Sequence, residues 1–317
     1  MIDLARVSAW LGEPLVLEST ATTGSSSTTL FVRVGDVAAV LQHPPAGPTL
    51  PTAHDLARQY RFLRAVVSSA VPVPRVLAFC DDAAVAGVPF LLTARVDGVC
   101  LMDPSAQSTH EIEAAALARH AIDILAELHA IDWSKAGLTA APGSYLERQI
   151  GRWDDQLSRT PTAHRLGDLS SLSDWLLAHR PAGEERVIVH GDFGFHNLLV
   201  AHDRVTAALD CELATIGDPL VDVIGLVKSW GRGGLSPNPA NDVVAHGVGA
   251  LTRDEVIARY EERSGRCFHD HRQYYEAFSM WKSIGIFEGV HSRSGSTRFV
   301  DEVPELVTRL RHLVGQD

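Results

Sequence analysis

The sequence predicts an α+β protein with two lobes, a strand-rich N-terminal lobe and a larger, mainly helical C-terminal lobe. Short apolar runs separated by turn residues dominate the first part, and helical periodicity dominates from Glu111 onward. A chain of 317 residues is also long enough to form two units, each with a core of its own. We place the boundary in a connector near Thr93 to Val96, which divides the chain into residues 1–95 and 96–317.

Composition and charge limit the function classes. The chain has 45% hydrophobic and 21% charged residues, as a globular protein does, and its net charge of -11 argues against a nucleic-acid partner. Asp3, Arg6 and Glu13 make the start a poor signal peptide, and no apolar window reaches the length of a membrane span. The four cysteines lack the spacing of a zinc site or a disulfide framework. We expect a cytoplasmic protein, monomeric or homodimeric, without a membrane or nucleic-acid partner.

The first elements form a predicted hairpin. The runs TTLFVRV and VAAVLQH flank Gly35 and Asp36, a combination that favours a tight turn between two strands. The small polar segment before this hairpin is either a phosphate-covering loop or a solvated turn. Its candidate phosphate-contacting residues are Gly24, Ser25 and Ser26.

A helix and two extended segments complete the N-terminal lobe. Leu56, Tyr60, Leu63 and Val67 recur at helical spacing and predict one buried helical face. The run VPVPRVLAF favours an extended segment, because the residue before a proline is biased away from the helical region. VPFLLTARVDG predicts a buried strand that leads into the connector.

Helices are predicted along most of the C-terminal lobe. EIEAAALARHAIDILAELHAI is long and periodic, and in TRDEVIARYEERSG the pair Thr252 and Glu255 forms a capping box, with Gly265 as the stop signal. The segment Gly231–Asp242, GRGGLSPNPAND, is irregular. It is either a lid over a substrate or a passive surface loop.

The stretch VIVHGDFGFHNLLV places polar residues between two apolar runs, and loops held by rigid strands often carry chemistry. If Leu198–Val200 and Val205–Leu209 pair as a hairpin, Asp192, Asn197 and Asp210 converge at its open end. Two carboxylates and an amide oxygen suit Mg²⁺ better than zinc. In phosphoryl transfer, one Asp accepts a hydroxyl proton while an Asn and a second Asp hold Mg²⁺ against nucleotide phosphates.

Two motifs resemble one enzyme family. HGDFGFHN resembles the catalytic loop of protein kinases, H-R-D-x-x-x-x-N, in the form found in aminoglycoside phosphotransferases and choline-kinase-like enzymes. LDCELATIGDPLVDV resembles the metal-binding segment that follows it, and eighteen residues separate Asp192 from Asp210. LPTAHDLARQYRFL, VPVPRVLAFCDD and YYEAFSMWKSIG resemble the branch related to kinase domains fused to acyl-CoA dehydrogenases.

The resemblance implies a two-lobed protein-kinase-like fold and an enzyme that uses Mg²⁺ and ATP or GTP to phosphorylate a hydroxyl of a small molecule. Asp192 corresponds to the catalytic base, and Asn197 and Asp210 correspond to the metal ligands. The hinge falls at Thr93 to Arg95, where backbone groups meet the nucleobase. The alternative for this segment is an ordinary linker between lobes.

Supporting roles follow from the same resemblance. Asp218 and Asp222 match carboxylates that brace the catalytic loop, and His190 matches a packing and hydrogen-bonding residue at the start of that loop. Glu212 follows the metal-binding Asp and is expected to support the site rather than to ligate the metal. His196 occupies a variable position, and we expect it to face solvent.

The sequence departs from the family pattern at an ion pair. Kinase folds carry a Lys on the third strand, paired to a Glu on the following helix. Alternation along AAVLQH places Gln42 at the Lys position and turns His43 away, and Gln59 stands where the Glu is expected. A single buried charge without its partner would destabilise the fold by about 3–5 kcal/mol, so losing both charges together is electrostatically consistent.

Three functions therefore remain open. The first is a small-molecule kinase in which a Gln–Gln hydrogen bond replaces the ion pair and Gln42 donates to the nucleotide phosphates. The second is a catalytically weak, kinase-like protein that binds a nucleotide or metabolite. The third is a metal-dependent phosphoesterase with His190, Asp192, His196 and Asp210 as ligands. The acceptor of a kinase could be a cationic aminoglycoside, a hydroxyacyl thioester or a similar acid.

Overall fold

The computed structural model describes residues 2–21, 27–44, 55–102, 113–231, 238–294 and 300–316. Its strands are β1 Leu15–Thr20, β2 Thr28–Val34, β3 Val37–His43, β4 Val76–Cys80, β5 Phe90–Ala94, β6 Val99–Cys100, β7 Val187–Val189, β8 Leu198–Ala201, β9 Arg204–Ala208 and β10 Thr215–Gly217. Its α-helices are α1 Leu4–Leu11, α2 Leu56–Val66, α3 Ala83–Ala86, α4 Ala114–Ala130, α5 Tyr145–Arg159, α6 Ser170–Ala178, α7 Leu220–Val227, α8 Pro239–Ala245, α9 Arg253–Ser264, α10 Arg272–Ser294 and α11 Glu302–Val314.

The N-terminal lobe is an antiparallel sheet with the strand order β1-β2-β3-β5-β4. The predicted hairpin is confirmed, because β2 pairs with β3 and Val34 lies opposite Val37 across the turn. One face of the sheet packs against α1 and α3 through a small core that includes Val7, Leu41 and Phe90. The helix α2 lies on the other side and joins the larger core of the protein through Leu56, Phe62, Leu63 and Val66.

The buried face of α2 differs from the predicted one. Gln59, Phe62 and Val66 are buried together with Leu63, whereas Val67 is 44% exposed. The helical spacing of 3.6 residues brings position 66, not 67, back to the face that Leu63 and Phe62 occupy. The expectation that Val67 belongs to the core was therefore wrong.

The C-terminal lobe is mainly helical. The buried helix α4 packs against α9 and against strands β7 and β9, and α10 packs against α5, α7 and α11. Two small sheets complete the lobe, one with the order β6-β8-β9 and one formed by β7 and β10. In the predicted hairpin, Leu198 lies opposite Ala208, so the residues that flank its open end are brought together.

Two local predictions in the C-terminal lobe have different outcomes. The capping box of α9 is present, with Thr252 and Glu255 bonded reciprocally and Gly265 in the left-handed conformation just after the helix. The segment predicted to be irregular is partly helical, because α8 begins at Pro239 and Asn238 caps it. A capping Asn followed by a proline at the first helical position is a signal for the start of a helix. The prediction that the whole segment is irregular was therefore wrong for its last residues.

The architecture confirms the α+β fold class with a strand-rich N-terminal part and a helical C-terminal part. The lobe boundary after residue 95 stays a prediction. In the described ranges, no helix combines the length and apolar character needed to cross a membrane. All four cysteines are free, in line with their unpaired spacing.

The contact between α5 and α10 gives a test of the helical packing. A Cβ added to Gly285 would lie 2.8 Å from Cε3 of the buried Trp153 ring. Gly285→Ala is therefore expected to lower the free energy of unfolding by about 1–3 kcal/mol through overpacking. Gly151 lies in α5 with open space around it, so Gly151→Ala is expected to raise stability by up to about 1 kcal/mol through helix propensity. Urea unfolding of both variants measures the two effects, and equal effects would contradict this packing.

Candidate active site

A cavity of about 430 Å³ lies between the sheet of the N-terminal lobe and the β6-β8-β9 region of the C-terminal lobe. This volume is within the usual range of small-ligand sites. The sequence-predicted residues that line it are Gln42, Gln59, Thr93, Arg95, Asn197 and Asp210. The fold thus brings residues from distant parts of the chain to one cavity.

The catalytic-loop segment is held by a buried carboxylate. Asp222 on α7 accepts hydrogen bonds from the backbone N–H groups of His190 and Gly191, at 2.6 and 2.8 Å. Burial opposes ionisation of Asp222, but the hydrogen bonds from the His129 ring and from the His190 backbone outweigh it and lower the pKa of Asp222. The predicted bracing role of Asp222 agrees with this geometry.

His190 is fully buried and uses both ring nitrogens within the protein. Its Nδ1 accepts from the backbone N–H of Asp192, at 3.3 Å, so its Nε2 carries the proton and donates to the carbonyl of Leu209, at 2.9 Å. The ring therefore ties the catalytic loop to the end of β9. This is the packing and hydrogen-bonding role that was predicted for His190.

Gly191 makes this loop conformation possible. Its φ of +83° lies in the left-handed region, and a Cβ there would be 2.8 Å from the carbonyl oxygen of Leu213. Both facts favour glycine at this position. The close approach places the loop against the segment that contains Asp210.

Asp192 and Asn197 contact each other directly. The Asn197 amide donates to the Oδ2 atom of Asp192 and to its backbone carbonyl, both at 3.0 Å. The Asp192 side chain is 47% exposed, and none of the described residues donates a hydrogen bond to its other oxygen, Oδ1. The Asn197 Oδ1 atom accepts no hydrogen bond from any residue that the structure describes.

His196 was expected to face solvent, and that expectation was wrong. Its Nε2 lies 3.3 Å from Oδ2 of Asp192, and its side chain is only 24% exposed. Asn238 uses its Oδ1 to cap α8, so its amide nitrogen donates to Nδ1 of His196, at 2.8 Å. This fixes the proton of His196 on Nε2, where it points at Asp192.

The charges around Asp192 keep it ionised. Burial raises its pKa, but the hydrogen bond from His196 and the charges of Lys282 and Lys228 outweigh this effect. The pKa of Asp192 therefore lies below its usual value. An ionised carboxylate with one accessible oxygen can accept a proton.

Asp210 lies beside this pair in an environment that disfavours its charge. Its backbone is left-handed, with a φ of 57°, and the N–H of Leu209 donates to the Asn197 carbonyl, at 2.8 Å. Burial, followed by the charges of Glu212 and Asp192, raises the pKa of Asp210 to about 6. A divalent cation would offset this repulsion, and the free Asn197 oxygen offers a second hard ligand.

The donor set fits Mg²⁺ bound together with a nucleotide. Mg²⁺ is usually held by one or two protein oxygens plus substrate phosphates, and not by an all-protein cage. Consistent with this, the described part of the chain contains no cluster of three His, Cys, Asp or Glu residues that could hold a metal alone. Asn197 and Asp210 are therefore suitable ligands for a metal delivered with phosphates.

The neutral pair predicted from the sequence forms a hydrogen bond. Nε2 of Gln59 donates to Oε1 of Gln42, at 2.8 Å, across the space between α2 and β3. Gln42 faces the cavity as Val40 does, and His43 is buried on the opposite face. Because Gln42 accepts through its oxygen, its own amide N–H groups remain available toward the cavity.

The hinge residues lie at the cavity wall, but their backbone donors are engaged. Thr93 belongs to β5 and pairs with both β3 and β4. The N–H of Arg95 donates to the Ala38 carbonyl, at 3.0 Å, and is therefore not free for a nucleobase. The candidate phosphate loop with Gly24, Ser25 and Ser26 lies outside the described residues.

The other two predicted carboxylates have distinct surroundings. Asp218 accepts from the N–H of Leu220 and from the hydroxyl of Tyr275, at 2.9 and 2.8 Å, so it fixes the start of α7 and not the catalytic loop. Burial, more than any other effect, raises its pKa to about 6. Glu212 is half-buried beside Arg58, and burial and the Asp192 charge raise its pKa.

Sequence reasoning missed two contacts to the catalytic loop besides that of His196. Nζ of Lys282 on α10 donates to the carbonyl of Gly191, at 2.7 Å, and Oδ1 of Asn241 on α8 accepts from the N–H of Phe195, at 2.9 Å. Lys282 falls in the quoted segment YYEAFSMWKSIG, but nothing local connects it to a loop 91 residues away. By contrast, Asp192 and His196 are only four residues apart, so their contact could have been predicted from the sequence.

Comparison with known proteins identifies the family of the chain. The profile of the phosphotransferase enzyme family matches residues 19–264, which is most of the chain. The chain therefore belongs to the phosphotransferase enzyme family. It is 31% identical over 277 residues to acyl-CoA dehydrogenase family member 10 of Mus musculus, covering 86% of this chain and 26% of that protein. The chain thus spans about a quarter of that relative.

Solved structures share the fold. A Ralstonia eutropha protein provisionally called an aminoglycoside phosphotransferase superimposes with a TM-score of 0.80 at 27% identity, covering 100% of this chain and 99% of that one. A thermostable mutant of the aminoglycoside phosphotransferase APH(4)-Ia, in complex with ADP and hygromycin B, gives a TM-score of 0.63 at 18% identity, with 98% and 97% coverage. The protein-kinase-like fold is confirmed by these similarities.

The Gln42–Gln59 contact can be tested by restoring the ion pair. Gln42→Lys alone and Gln59→Glu alone each introduce a charge beside a neutral amide, so each is expected to lower stability. The double variant is expected to recover stability and to bind ATP–Mg²⁺ more tightly than the parent. A double-mutant cycle on melting temperature and nucleotide affinity should give a coupling energy of about 0.5–3 kcal/mol. Additive effects would contradict the contact.

The raised pKa of Asp210 predicts a gain of stability when its charge is removed. Its folded pKa of about 6 lies above its usual value, so the ionised side chain destabilises the fold above pH 6, and the destabilisation declines as the pH falls below 6. At pH 7.5, Asp210→Asn is expected to stabilise the free protein by about 1–2 kcal/mol, allowing for screening.

The same variant should no longer be stabilised by Mg²⁺ with nucleotide. Melting temperatures with and without AMP-PNP and Mg²⁺ measure both effects. Asp203→Asn, on the exposed turn between β8 and β9, is the control and should change neither. A variant that lost stability without ligand, or kept the full Mg²⁺-dependent gain, would contradict the assignment.

Proposed function

We propose that this chain is a phosphotransferase that moves the γ-phosphoryl group of ATP or GTP to a hydroxyl of a small molecule. The observation that carries the proposal is the convergence of three side chains, two of which, Asn197 and Asp210, line the cavity. Asn197 bonds to Asp192, and Asp210 lies close enough to both for its pKa to respond to the Asp192 charge. Family membership and the fold support an enzyme of the small-molecule kinase class.

Asp192 is the proposed base. Its Oδ2 is occupied by Asn197 and His196, which leaves Oδ1 for the hydroxyl of the acceptor. As the acceptor oxygen bonds to the γ-phosphorus and the bond to the β-phosphate oxygen breaks, the hydroxyl proton moves to Asp192. Asn197 holds the carboxylate in one orientation, and His196 keeps it ionised until the transfer.

Asn197 and Asp210 are the proposed Mg²⁺ ligands, through the Asn197 oxygen that the described residues leave free and the Asp210 carboxylate. When bound, the ion would neutralise charge on the transferring phosphates. Glu212 stays outside the ligand set and adds to the negative potential that favours a cation. The same environment explains why Asp210 is costly to ionise in the free protein.

We propose an active kinase rather than a protein that only binds a nucleotide or metabolite. The Gln42–Gln59 hydrogen bond orients Gln42 with its N–H groups available to a phosphate in the cavity. A neutral amide donor forms a weaker bond to phosphate than an ammonium does, so we expect weaker nucleotide binding and not its loss. The catalytically weak alternative predicts nucleotide binding without transfer to any hydroxyl.

The geometry argues against the phosphoesterase hypothesis. His190 spends both ring nitrogens on Leu209 and Asp192 backbone groups, so neither is free for a metal. His196 directs its Nε2 proton at Asp192 and accepts from Asn238 through Nδ1. Two of the four suggested ligands are therefore engaged by other protein groups.

A cytoplasmic location remains part of the proposal.

Replacing the base should separate nucleotide binding from transfer. Asp192→Asn is expected to bind ATP–Mg²⁺ nearly as tightly as the parent, because the side chain faces the acceptor and not the proposed metal. Transfer of label from γ-labelled ATP to a mixture of hydroxylated metabolites should fall by about 10²–10⁴-fold. Asp36→Asn, on the exposed turn between β2 and β3, is the matched control.

Calorimetry measures the affinity, and chromatography of the labelled products measures the transfer. An Asp192→Asn variant that transferred label at the parent rate would show that another group accepts the proton. Parent protein that bound nucleotide but transferred no label to any hydroxyl would support the weak, binding-only alternative.

A further inference from the structure

Lysine is rare in this chain, and its distribution is uneven. Of 28 basic Lys and Arg residues only three are lysines, Lys135, Lys228 and Lys282. Lys135 lies at the surface with its side chain 85% exposed. The other two are half-buried, and both contribute their charge to the low pKa of Asp192. Two of three lysines therefore lie beside the proposed base.

Lys282 is fixed by the catalytic loop. Its Nζ donates to the carbonyl of Gly191, at 2.7 Å, one residue before Asp192. An ammonium group has three N–H donors, and this contact uses one of them. Among the described residues no carboxylate forms an ion pair with Lys282. Its charge and its remaining donors are therefore available to a ligand beside Asp192.

Lys228 approaches the same place from α7. It caps the C-terminus of that helix, one turn after Gly225, whose added Cβ would contact the Phe193 carbonyl of the catalytic loop at 3.9 Å. Residues three apart share a helical face, so Lys228 lies on the loop side of α7. Within the described ranges its ammonium has neither a hydrogen bond nor an ion pair. Burial and the Lys282 charge lower the pKa of Lys228 to about 8, which agrees with this proximity.

Neither lysine lines the proposed nucleotide cavity. Asn197, Asp210 and His196 line that cavity, whereas Asp192, Lys228 and Lys282 do not. A phosphate donor in the cavity would therefore contact neither lysine, and an acceptor that contacts them would approach Asp192 from α7 and α10. Two cations with available donors at this position form a site for an anion.

We propose that Lys228 and Lys282 bind an anionic group, a carboxylate or phosphate, of the acceptor molecule and thereby hold its hydroxyl at Asp192. The inference rests on the proposed function and narrows its acceptor to hydroxylated acids. It also differs from the expectation that an acidic chain selects a cationic acceptor, because two lysines lie beside the proposed base although the net charge is -11. A cationic acceptor would meet two ammonium groups that form no ion pair with any described carboxylate.

The other charges near this place are compatible with an anion. Asp192 is the carboxylate whose pKa both lysines lower, and it must be negative to act as a base. The lysines therefore also keep an anionic acceptor from being repelled by Asp192.

Three small diols of nearly equal size but different charge test the proposal. Glycerate, butane-1,2-diol and 3-aminopropane-1,2-diol carry one negative charge, none and one positive charge. Each is added at the same concentration and ionic strength to protein saturated with AMP-PNP and Mg²⁺, and melting temperature is measured. We expect glycerate to stabilise the parent most. Lys228→Gln and Lys282→Gln should each reduce that preference, and the double variant should abolish it.

Controls separate the charge effect from a loss of structure. Lys135→Gln should keep the glycerate preference, and the double variant Lys228→Arg with Lys282→Arg should keep most of it because the charges remain. AMP-PNP affinity of the double Gln variant should change less than about threefold. A tenfold loss of AMP-PNP affinity would place the lysines on the donor phosphates and overturn the proposal.

Equal stabilisation by the three diols, or a glycerate preference that survives in the double Gln variant, would also overturn the proposal. These outcomes leave nucleotide binding intact and are therefore distinct from failure of the proposed function. Parent protein that did not bind AMP-PNP with Mg²⁺ at all would contradict the function itself, and the acceptor assignment with it.

Discussion

The buried carboxylate of Asp222 is the constraint on which the site depends. It receives two backbone N–H groups from His190 and Gly191, and His129 adds a longer contact at 3.4 Å. Burial lowers the pKa of His129, so this contact is a hydrogen bond from a neutral ring and not an ion pair. Hydrogen bonds to a charged group contribute about 1.5–3 kcal/mol each, and an uncompensated charge here would be strongly destabilising. These hydrogen bonds therefore hold the backbone of the catalytic loop in one conformation next to α7.

The fixed loop determines where charge can accumulate. Asp192, Asp210 and Glu212 lie close enough for each to influence another's pKa, and burial adds to their repulsion. The protein compensates only part of this charge, through His196, Lys228 and Lys282 on the Asp192 side. Asp210 remains costly to ionise, which makes its side of the cluster suitable for a cation. This asymmetry distinguishes the proposed base, Asp192, from the proposed metal ligand, Asp210, although both residues are aspartates.

Much of this could be predicted from the sequence, because strand alternation and helix spacing are local. The β2–β3 hairpin, the inward direction of Gln42 and Gln59, and the convergence of Asp192 with Asn197 follow from such periodicities. The prediction for His196 failed because its partner Asn238 lies at the start of a helix whose packing against the catalytic loop no local pattern specifies. Lys282 was missed for the same reason. The prediction that Val67 is buried failed because the buried position is Val66, one residue earlier. Sequence periodicity does not locate the end of a helical face to within one residue.

The central claim is that nucleotide, metal and base meet where Asn197, Asp210 and Asp192 converge. A crystal structure with AMP-PNP and Mg²⁺ tests it most directly. The account predicts Mg²⁺ bound through Oδ1 of Asn197 and the carboxylate of Asp210, with the γ-phosphate facing Asp192 and the α- and β-phosphates within reach of Gln42. A nucleotide bound outside the cleft between the lobes, or a metal held by His190 and His196, would contradict it.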